Sequence, residues 1–167
     1  MNCFETLTFQ SELGWVGLLT QERKIARIRF GFATEWELLK SFDETIDVRA
    51  AKGPEKKWVS SLKKYCRGID STLEDLPVDL SDYSKFQAKV LKQCRKIPFG
   101  KTMSYGELAA RANSPGAARA VGTAMKKNRF PLVVPCHRVV AASGLGGYSA
   151  ADGLSAKVRL LRLEGAM

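Results

Sequence analysis

Two short helical patterns joined by a four-residue turn constrain the fold of this chain more than any other feature. Ser104 and Glu107 have the spacing of a capping box, which predicts the start of a helix over 105–112. Residues 113–116 are Asn-Ser-Pro-Gly, a composition typical of a turn. A further helix is predicted over 117–127. Two helices around so short a turn favour a helix-turn-helix.

The helix predicted over 117–127 combines small residues with one long cation, Arg119, near its start. Its small residues are Ala117, Ala118, Ala120, Gly122 and Ala124. Small side chains let a helix backbone come close to another surface. Tight packing against a neighbouring helix and contact with DNA both explain this pattern, and the residues alone leave both open.

Helical periodicity predicts two more helices in the second half of the chain. Apolar residues recur every three or four positions over 82–96, and the pattern stops at the Pro-Phe-Gly of 98–100. Leucines on one face predict a closing helix over 154–163. Residues 142–149 form a glycine-rich hairpin or loop, which suits the wall of a pocket for a flat ring or an ordinary wing after a helix-turn-helix.

The first half of the chain has a different pattern and predicts a small antiparallel sheet with two helices. The predicted strands cover 4–9, 15–20 and 25–32, and the predicted helices cover 35–42 and 56–65. The loop at 76–80 is a plausible boundary because the composition changes there. We therefore expect an α/β protein with one domain over 1–80 and a second over 81–167.

The net positive charge of the chain comes entirely from the second half. Residues 1–80 hold 12 Lys and Arg against 13 Asp and Glu, whereas residues 81–167 hold 15 against 4, a net charge of +11. Charge segregated in this way is typical of a surface that binds phosphates. A basic face that is only solvated explains it as well.

One cysteine lies beside the only histidine of the chain. The apolar run 131–135 is bounded by prolines, so we expect it to be extended and largely buried, and it leads directly to Cys136 and His137. An isolated cysteine after such a run is commonly an inert core thiol. His137 is, however, the only side chain here with a near-neutral pKa that can act as a general base. Neighbours in an extended segment point to opposite sides, so a bridging water would carry the proton.

Glu164 is one of four acidic residues in the second half and a candidate partner for His137. A carboxylate that accepts the other ring proton would fix the tautomer of the histidine and support its charged form. A solvated carboxylate at a helix end explains Glu164 too, and the pattern alone favours that interpretation.

The remaining composition excludes several classes of protein. The four cysteines form no CxxC pair, and one histidine leaves no ordinary zinc-ligand set, so we expect reduced thiols and no metal. The first residues lack the basic and apolar pattern of a leader peptide, and no run of about 20 apolar residues is present, so we expect no membrane association. We expect a cytoplasmic protein, with nuclear entry by diffusion if the source is eukaryotic.

Several separate motifs resemble those of the O6-alkylguanine-DNA alkyltransferases, also called methylated-DNA–protein-cysteine methyltransferases. The core of the resemblance is Pro-Cys-His-Arg-Val at 135–139, in register with Tyr105, with the Ala-Ala-Arg-Ala-Val-Gly helix at 117–122 and with Leu-Leu-Arg-Leu-Glu-Gly at 160–165. The resemblance covers about residues 84–165. It implies a small ribonuclease-H-like N-terminal domain followed by a winged helix-turn-helix C-terminal domain.

The resemblance implies a protein that binds double-stranded DNA through the minor groove. Ala118, Ala120 and Gly122 would be the small contacts there. Arg119 matches the arginine that fills the stack when the target guanine is flipped out, and Tyr105 matches the tyrosine that helps to rotate the nucleotide. Extruding a stacked base costs a few kcal/mol, which the groove and phosphate contacts must offset.

The resemblance also assigns the chemistry, with transfer of an alkyl group from O6-alkylguanine to the protein. Cys136 would be the nucleophile, His137 its base through a water, and Glu164 the residue that orients His137. Asn128 matches the asparagine that bridges the recognition helix and the active-site segment. The resemblance also implies that Met125 and Val139 form the pocket wall, with the Val139 carbonyl accepting a hydrogen bond from the guanine amino group. Tyr148 and Ser149 would lie in the loop over the alkylated oxygen.

The implied reaction uses no cofactor and each molecule acts once, since a thioether has no route back. O4-alkylthymine is a further candidate substrate. We expect a monomer with no obligate protein partner. The main alternative is a lesion-recognition protein of the alkyltransferase-like type, in which the reactive cysteine is replaced. A plain winged-helix transcription factor and a cysteine hydrolase each explain only part of the pattern.

Overall fold

The computed structural model describes residues 4–42, 46–150 and 152–167 and divides the chain into two compact units, residues 1–79 and 80–167. The strands and helices of the first unit are β1 (Phe4–Ser11), β2 (Gly14–Gln21), β3 (Lys24–Phe32), α1 (Glu35–Lys40), β4 (Ile46–Val48) and α2 (Glu55–Cys66). Those of the second unit are α3 (Lys85–Cys94), β5 (Met103–Ser104), α4 (Tyr105–Arg111), α5 (Ala118–Lys126), β6 (Val139–Val140) and α6 (Gly153–Leu163).

The first unit is a four-stranded sheet in the order β3-β2-β1-β4. The predicted antiparallel pairing of the first three strands is confirmed, and the short β4, which the sequence pattern did not indicate, runs parallel to β1. Strand β2 is buried on both faces, with Val16 and Leu18 on one side and Leu19 on the other. At the other edge of the sheet, Ile25 exchanges backbone hydrogen bonds with Pro77 and Asp79.

Helix α1 packs on one face of this sheet against a small apolar cluster. Thr34 and Glu37 form a capping box that starts the helix. Leu38 and Phe42 then pack with Leu19. A Cβ atom at Gly17 would lie 3.1 Å from the side chains of both Leu38 and Phe42, so a larger residue there would force these side chains to shift.

The second unit is built around three helices that contact one another, α3, α4 and α5. The predicted capping box of Ser104 and Glu107 is confirmed at the start of α4. The predicted turn between α4 and α5 is also present, with positive φ at Asn113 (57°) and Gly116 (83°). Helix α3 is shorter than the pattern predicted, because Ser84 and Gln87 form a capping box of their own.

The segment that leads to Cys136 differs from its prediction. Residues 132–136 are buried as expected, but the run is a turn and not an extended segment. Leu132 has φ +74°, and the Val134 amide donates to the Phe130 carbonyl at 2.7 Å. Cys136–Arg138 then form one 3-10 turn before β6, which pairs with β5 in parallel. The argument that neighbours point to opposite sides of an extended chain therefore does not apply to Cys136 and His137.

Candidate active site

Cys136 lies in the interior of the second unit, 7% exposed, and its sulfur is hydrogen-bonded. The Asn128 amide donates to Sγ at 3.1 Å, and the Tyr148 hydroxyl also donates to it. Burial raises the pKa of the Cys136 thiol, while these two donors and the positive charge of Lys157 lower it. The resting group is therefore a neutral thiol surrounded by groups that stabilise its thiolate.

Asn128 is fixed by three hydrogen bonds. Besides the bond to Cys136, its amide donates to the Val134 carbonyl at 2.9 Å, and its side-chain oxygen accepts from the Phe130 amide at 2.9 Å. Asn128 follows the end of α5, so it connects that helix to the turn that carries the cysteine.

His137, the residue that follows Cys136, forms a buried pair with Glu164. His137 Nε2 lies 2.6 Å from Glu164 Oε1, and both side chains are fully inaccessible to solvent. Burial lowers the pKa of His137, and the Glu164 carboxylate opposes this effect. His137 is thus a neutral base at neutral pH with a carboxylate ready to stabilise its charged form. The solvated interpretation of Glu164 was wrong.

Arg138 holds the Glu164 carboxylate from the other side. Its Nε donates to Oε2 at 2.9 Å and its Nη2 donates to Oε1 at 3.0 Å, a bidentate pair. Arg138 Nη1 donates to the Ile97 carbonyl at 2.5 Å, and the Gly100 amide adds a hydrogen bond to Glu164 at 3.1 Å. The carboxylate is therefore held in one orientation, with Oε1 towards His137.

Lys157 is fully buried, which is unusual for a lysine. Its ammonium donates to the carbonyls of Val139 at 2.6 Å, Leu145 at 2.5 Å and Gly147 at 3.2 Å. Burial lowers the pKa of Lys157, and the nearby Cys136 raises it. The Lys157 ammonium thus connects α6, β6 and the glycine-rich loop. Of the two predicted forms of that segment, a hairpin or a loop, the structure has the loop.

Sequence reasoning missed Lys157, although a signal was present. Lys157, Leu160, Leu161 and Glu164 are spaced by three, one and three residues, so all four lie on one face of α6. A lysine and a glutamate on the same face as buried leucines must be buried with them. That pattern would have identified both charged groups.

Tyr105 lies against the glycine-rich loop. A Cβ atom at Gly146 would lie 3.1 Å from the Tyr105 ring and 3.2 Å from its hydroxyl oxygen, and Gly146 has φ +71°. Burial and the neighbouring Cys136 both raise the pKa of Tyr105, so its hydroxyl stays protonated. The structure thus brings Tyr105, Tyr148 and Cys136 together.

The other predicted substrate residues have different surroundings. Val139 is fully buried, and its carbonyl, predicted to read the guanine amino group, already accepts from Lys157. A carbonyl has two lone pairs, so a second donor can still be accepted. Met125 is buried on the inner face of α5. Ser149 is exposed, and its hydroxyl donates to the Lys126 carbonyl at 3.4 Å.

The predicted DNA contacts lie on the outer face of α5. Arg119 and Ala120 are exposed, and Ala118 and Gly122 are half-buried. A Cβ atom at Gly122 would contact nothing within 4 Å, so tight packing against a neighbouring helix does not explain this glycine. Ala124, on the inner face, is fully buried and does pack against the rest of the unit.

The described cysteines are free thiols at positions 66, 94 and 136, and Cys3 lies outside the described residues. Within 4–42, 46–150 and 152–167, no group of three or more His, Cys, Asp and Glu side chains is arranged to hold a metal ion. None of the helices in these same ranges is long and apolar enough to cross a membrane.

Comparison with known families places the second unit in one of them. Residues 85–166 match the family model described as the DNA binding domain of 6-O-methylguanine DNA methyltransferase. A methylated-DNA–protein-cysteine methyltransferase of Metallosphaera sedula is 37% identical over 161 residues, which are 96% of this chain and 92% of the relative. One of Methanopyrus kandleri is 44% identical over 106 residues, 64% of this chain and 77% of the relative.

Solved structures extend the similarity to both halves of the chain. OGT of Mycobacterium tuberculosis in complex with DNA matches with a TM-score of 0.79 and 33% identity, covering 97% of this chain and 93% of that one. The O6-methylguanine-DNA methyltransferase of Pyrococcus kodakaraensis matches with a TM-score of 0.74 and 29% identity, covering 96% and 99%. The mixed α/β architecture is therefore shared with these proteins.

Proposed function

This chain belongs to the methylated-DNA–protein-cysteine methyltransferase family, and we propose that it repairs DNA by moving an alkyl group from O6 of guanine to its own Cys136. The observation that carries the assignment to Cys136 is its thiol, held by Asn128 and Tyr148 next to the buried His137–Glu164 pair. Cys66 and Cys94 are completely inaccessible to solvent, whereas Cys136 keeps 7% of its surface exposed.

The transfer is a displacement at the alkyl carbon. The thiol proton passes through a water to the unprotonated His137, Sγ bonds to the alkyl carbon, and the bond from that carbon to O6 breaks. The guanine leaves with the bond pair and takes up a proton, which restores the normal base. The thioether that remains is not reversed, so each molecule reacts once.

Glu164 is the group that makes His137 an effective base. Its carboxylate accepts from Nε2 and so directs Nδ1 towards the proton to be removed. When His137 becomes charged, Glu164 stabilises the imidazolium. Arg138 keeps the carboxylate in place for both tasks.

The groups around Sγ stabilise the developing thiolate before it attacks. Asn128 and Tyr148 donate hydrogen bonds to it, and Lys157 provides positive charge. These interactions form inside a buried site, where electrostatic stabilisation is stronger than in water. Tyr105 keeps its proton and donates a hydrogen bond to the departing base. Met125 and Val139 form the pocket wall, and Ser149 belongs to the loop that closes it.

We assign the α4–turn–α5 arrangement and the loop after β6 to a winged helix-turn-helix domain over 81–167. The sheet of the first unit would be the ribonuclease-H-like domain over 1–80. The support is the element order of each unit together with the similarity to OGT bound to DNA. In this assignment α5 enters the minor groove, with Ala118, Ala120 and Gly122 facing the sugars.

Arg119 is the residue that replaces the flipped guanine in the stack. It is exposed near the start of α5, where a long cation can reach into the duplex. The partner is double-stranded DNA, and the protein acts as a cytoplasmic monomer without a metal, a cofactor or an obligate protein partner. A lesion-recognition protein would bind the same DNA without a reactive cysteine, which the intact Cys136 disfavours.

The stoichiometry of repair tests this function. A duplex with one O6-methylguanine is supplied in tenfold excess, and repaired duplex is counted after the reaction stops. We expect a plateau at one repaired lesion per protein molecule. Continued turnover would indicate a different enzyme, and binding without repair would support the lesion-recognition alternative.

Arg119→Ala tests the DNA assignment separately. We expect duplex repair to slow about tenfold or more, because unstacking the base costs a few kcal/mol that the arginine helps to offset. Reaction with the free base O6-benzylguanine should be unchanged. Equal losses on both substrates would contradict the proposed role of Arg119.

A further inference from the structure

Four exposed lysines form a row on the second unit. Lys85, Lys89 and Lys92 lie on α3, and Lys96 lies two residues beyond its end. Their spacings of four, three and four residues place them on one side of the helix. At about 1.5 Å per residue the row is about 16 Å long. We call these four residues the α3 lysine row.

The row lies on the side of α3 that faces away from the rest of the unit. The opposite side contributes the buried Val90, Leu91 and Cys94 to the core shared with α4 and α5. Helix α5 in turn packs through its inner face, so the outer face that carries Arg119 is a separate surface. The row is therefore not an extension of the proposed minor-groove contact.

The charge of the row is not compensated. Within the described residues, no ion pair involves any of its four lysines. The acidic residues of this unit are few and mostly engaged: Asp82 pairs with Arg129, Glu107 caps α4, and Glu164 is buried with Arg138. A concentrated positive strip of this kind attracts a polyanion.

We propose that the α3 lysine row is a second, sequence-independent contact for the phosphate backbone of duplex DNA. The inference rests on the proposed function, which brings this chain to DNA. One strand of DNA presents a phosphate about every 3.4 Å along the axis, so a row of about 16 Å spans about five of them. Lysines spaced by one helical turn suit such a regular line of charges. A surface of this kind would hold undamaged DNA while α5 samples bases.

The salt dependence of binding to undamaged duplex tests the row. In the variant with all four lysines changed to Gln, the slope of log Kd against log salt should fall by about 3.6, since each of the four lost phosphate contacts contributes about 0.9. The matched control changes four exposed lysines of the first unit to Gln, with the same loss of charge. Those control residues are Lys24, Lys56, Lys57 and Lys64.

The comparison between the two variants decides the proposal. The proposal is supported if the slope of log Kd against log salt changes by less than about 1 in the control and by about 3.6 in the row variant. Equal changes would assign the effect to net charge alone, and an unchanged slope in the row variant would overturn it. Reaction of the row variant with free O6-benzylguanine should match that of the wild type. If the wild type did not repair lesion duplex but the row variant still had a smaller salt dependence, the proposed repair function would be wrong and the proposed DNA contact of the α3 lysine row would still be supported.

A second inference concerns Tyr83, whose hydroxyl contacts both peptide groups that flank Asn128. It donates to the Lys127 carbonyl at 2.8 Å and accepts from the Arg129 amide at 3.1 Å. The ring lies against Phe130, with centroids 6.0 Å apart. Tyr83 is thus anchored at its ring and at its hydroxyl.

We infer that Tyr83 is a positioning residue for Cys136 and acts through Asn128. The backbone on either side of Asn128 is fixed by the tyrosine, and the Asn128 amide reaches Sγ at 3.1 Å. Without the hydroxyl, both peptide groups would bond to water and the amide would be held less firmly on the sulfur. A thiolate that loses part of this hydrogen bond forms less readily.

Tyr83→Phe removes both hydrogen bonds and keeps the ring. We expect methyl transfer to slow about threefold to tenfold, and the pH dependence of Cys136 alkylation by iodoacetamide, mapped by mass, to move to higher pH. Tyr65→Phe is the matched control, a buried tyrosine of the first unit whose loss should leave that profile unchanged. In an Asn128→Ala background, Tyr83→Phe should add little. An unchanged profile, or a full additional effect in that background, would overturn the inference.

Discussion

The two units differ in what they bury. The first unit encloses mainly apolar side chains and buries one described charged residue, Glu55, whose partner Arg49 stays 19% exposed. The second unit buries His137, Arg138, Lys157 and Glu164 almost completely. Burying charge is costly unless every group is paired, and apolar residues of similar volume are often as stable. The second unit therefore maintains an arrangement that its stability alone does not require, as expected of a reactive site.

Among the variants of the second unit, Glu164→Gln should have the largest effect on both the transfer rate and the free energy of unfolding. It removes the carboxylate that stabilises protonated His137 and leaves Arg138 buried without its counter-ion. We expect transfer to slow about 100-fold and the free energy of unfolding to fall by about 3–5 kcal/mol. The rate is measured from the mass gain of the protein on excess lesion duplex, and stability from urea unfolding.

Glu55→Gln in the first unit is the matched control for that variant. Its partner Arg49 is partly solvated, so we expect a loss of about 1 kcal/mol and no change in transfer rate. Equal rate losses in the two variants would mean that the rate reflects stability, and would contradict the role of Glu164.

Lys157→Met should have the next largest effect. Three carbonyls lose their shared donor, which costs about 1–3 kcal/mol, and the thiolate loses a nearby positive charge. Transfer should slow about tenfold at neutral pH and recover as pH rises, because the pKa of Cys136 increases in the variant. Lys64→Met, on the surface of the first unit, should change neither quantity. A loss that did not recover at high pH would assign Lys157 a role in loop structure alone.

The pH profile of transfer should show a smaller effect. Burial lowers the pKa of His137, so the histidine stays unprotonated and able to accept a proton below the ordinary titration range of a histidine. We expect no step from protonation of the histidine between about pH 8 and pH 6.5, and such a step only at lower pH. A decrease centred at the ordinary histidine pKa would indicate that His137 is more solvated than the structure shows.

Gly17→Ala should have the smallest effect on activity. The added Cβ would lie 3.1 Å from Leu38 and Phe42, so we expect a loss of about 1 kcal/mol or more in the first unit. The transfer rate of the folded protein should equal that of wild type. A slower rate would show that the first unit influences the site.

The sequence predicted the elements that local chemistry determines. The capping box at Ser104 and Glu107, the turn at 113–116 and the three antiparallel strands follow from side chains that act on their own neighbours. Alternation and helical periodicity are likewise local. These features are confirmed in the structure.

Features that depend on distant contacts were not predictable in the same way. The apolar run 131–135 has the composition of an extended strand, yet Leu132 adopts φ +74° and the segment turns. Strand β4 is three residues long and exists through its pairing with β1. The burial of Glu164 could be read from its face of α6, but its partners Arg138, His137 and the Gly100 amide come from other parts of the chain. The resemblance to the family had nevertheless suggested the His137–Glu164 pair.

The most direct test of the central claim is the intact mass of the protein after incubation with a duplex containing one O6-methylguanine. Cys136→Ser serves as the control because it keeps the fold and removes the nucleophile. We predict the addition of a single methyl group that maps to Cys136 and is absent from the control. Tight binding of the duplex with no change in mass, or a methyl group on another residue, would contradict the account.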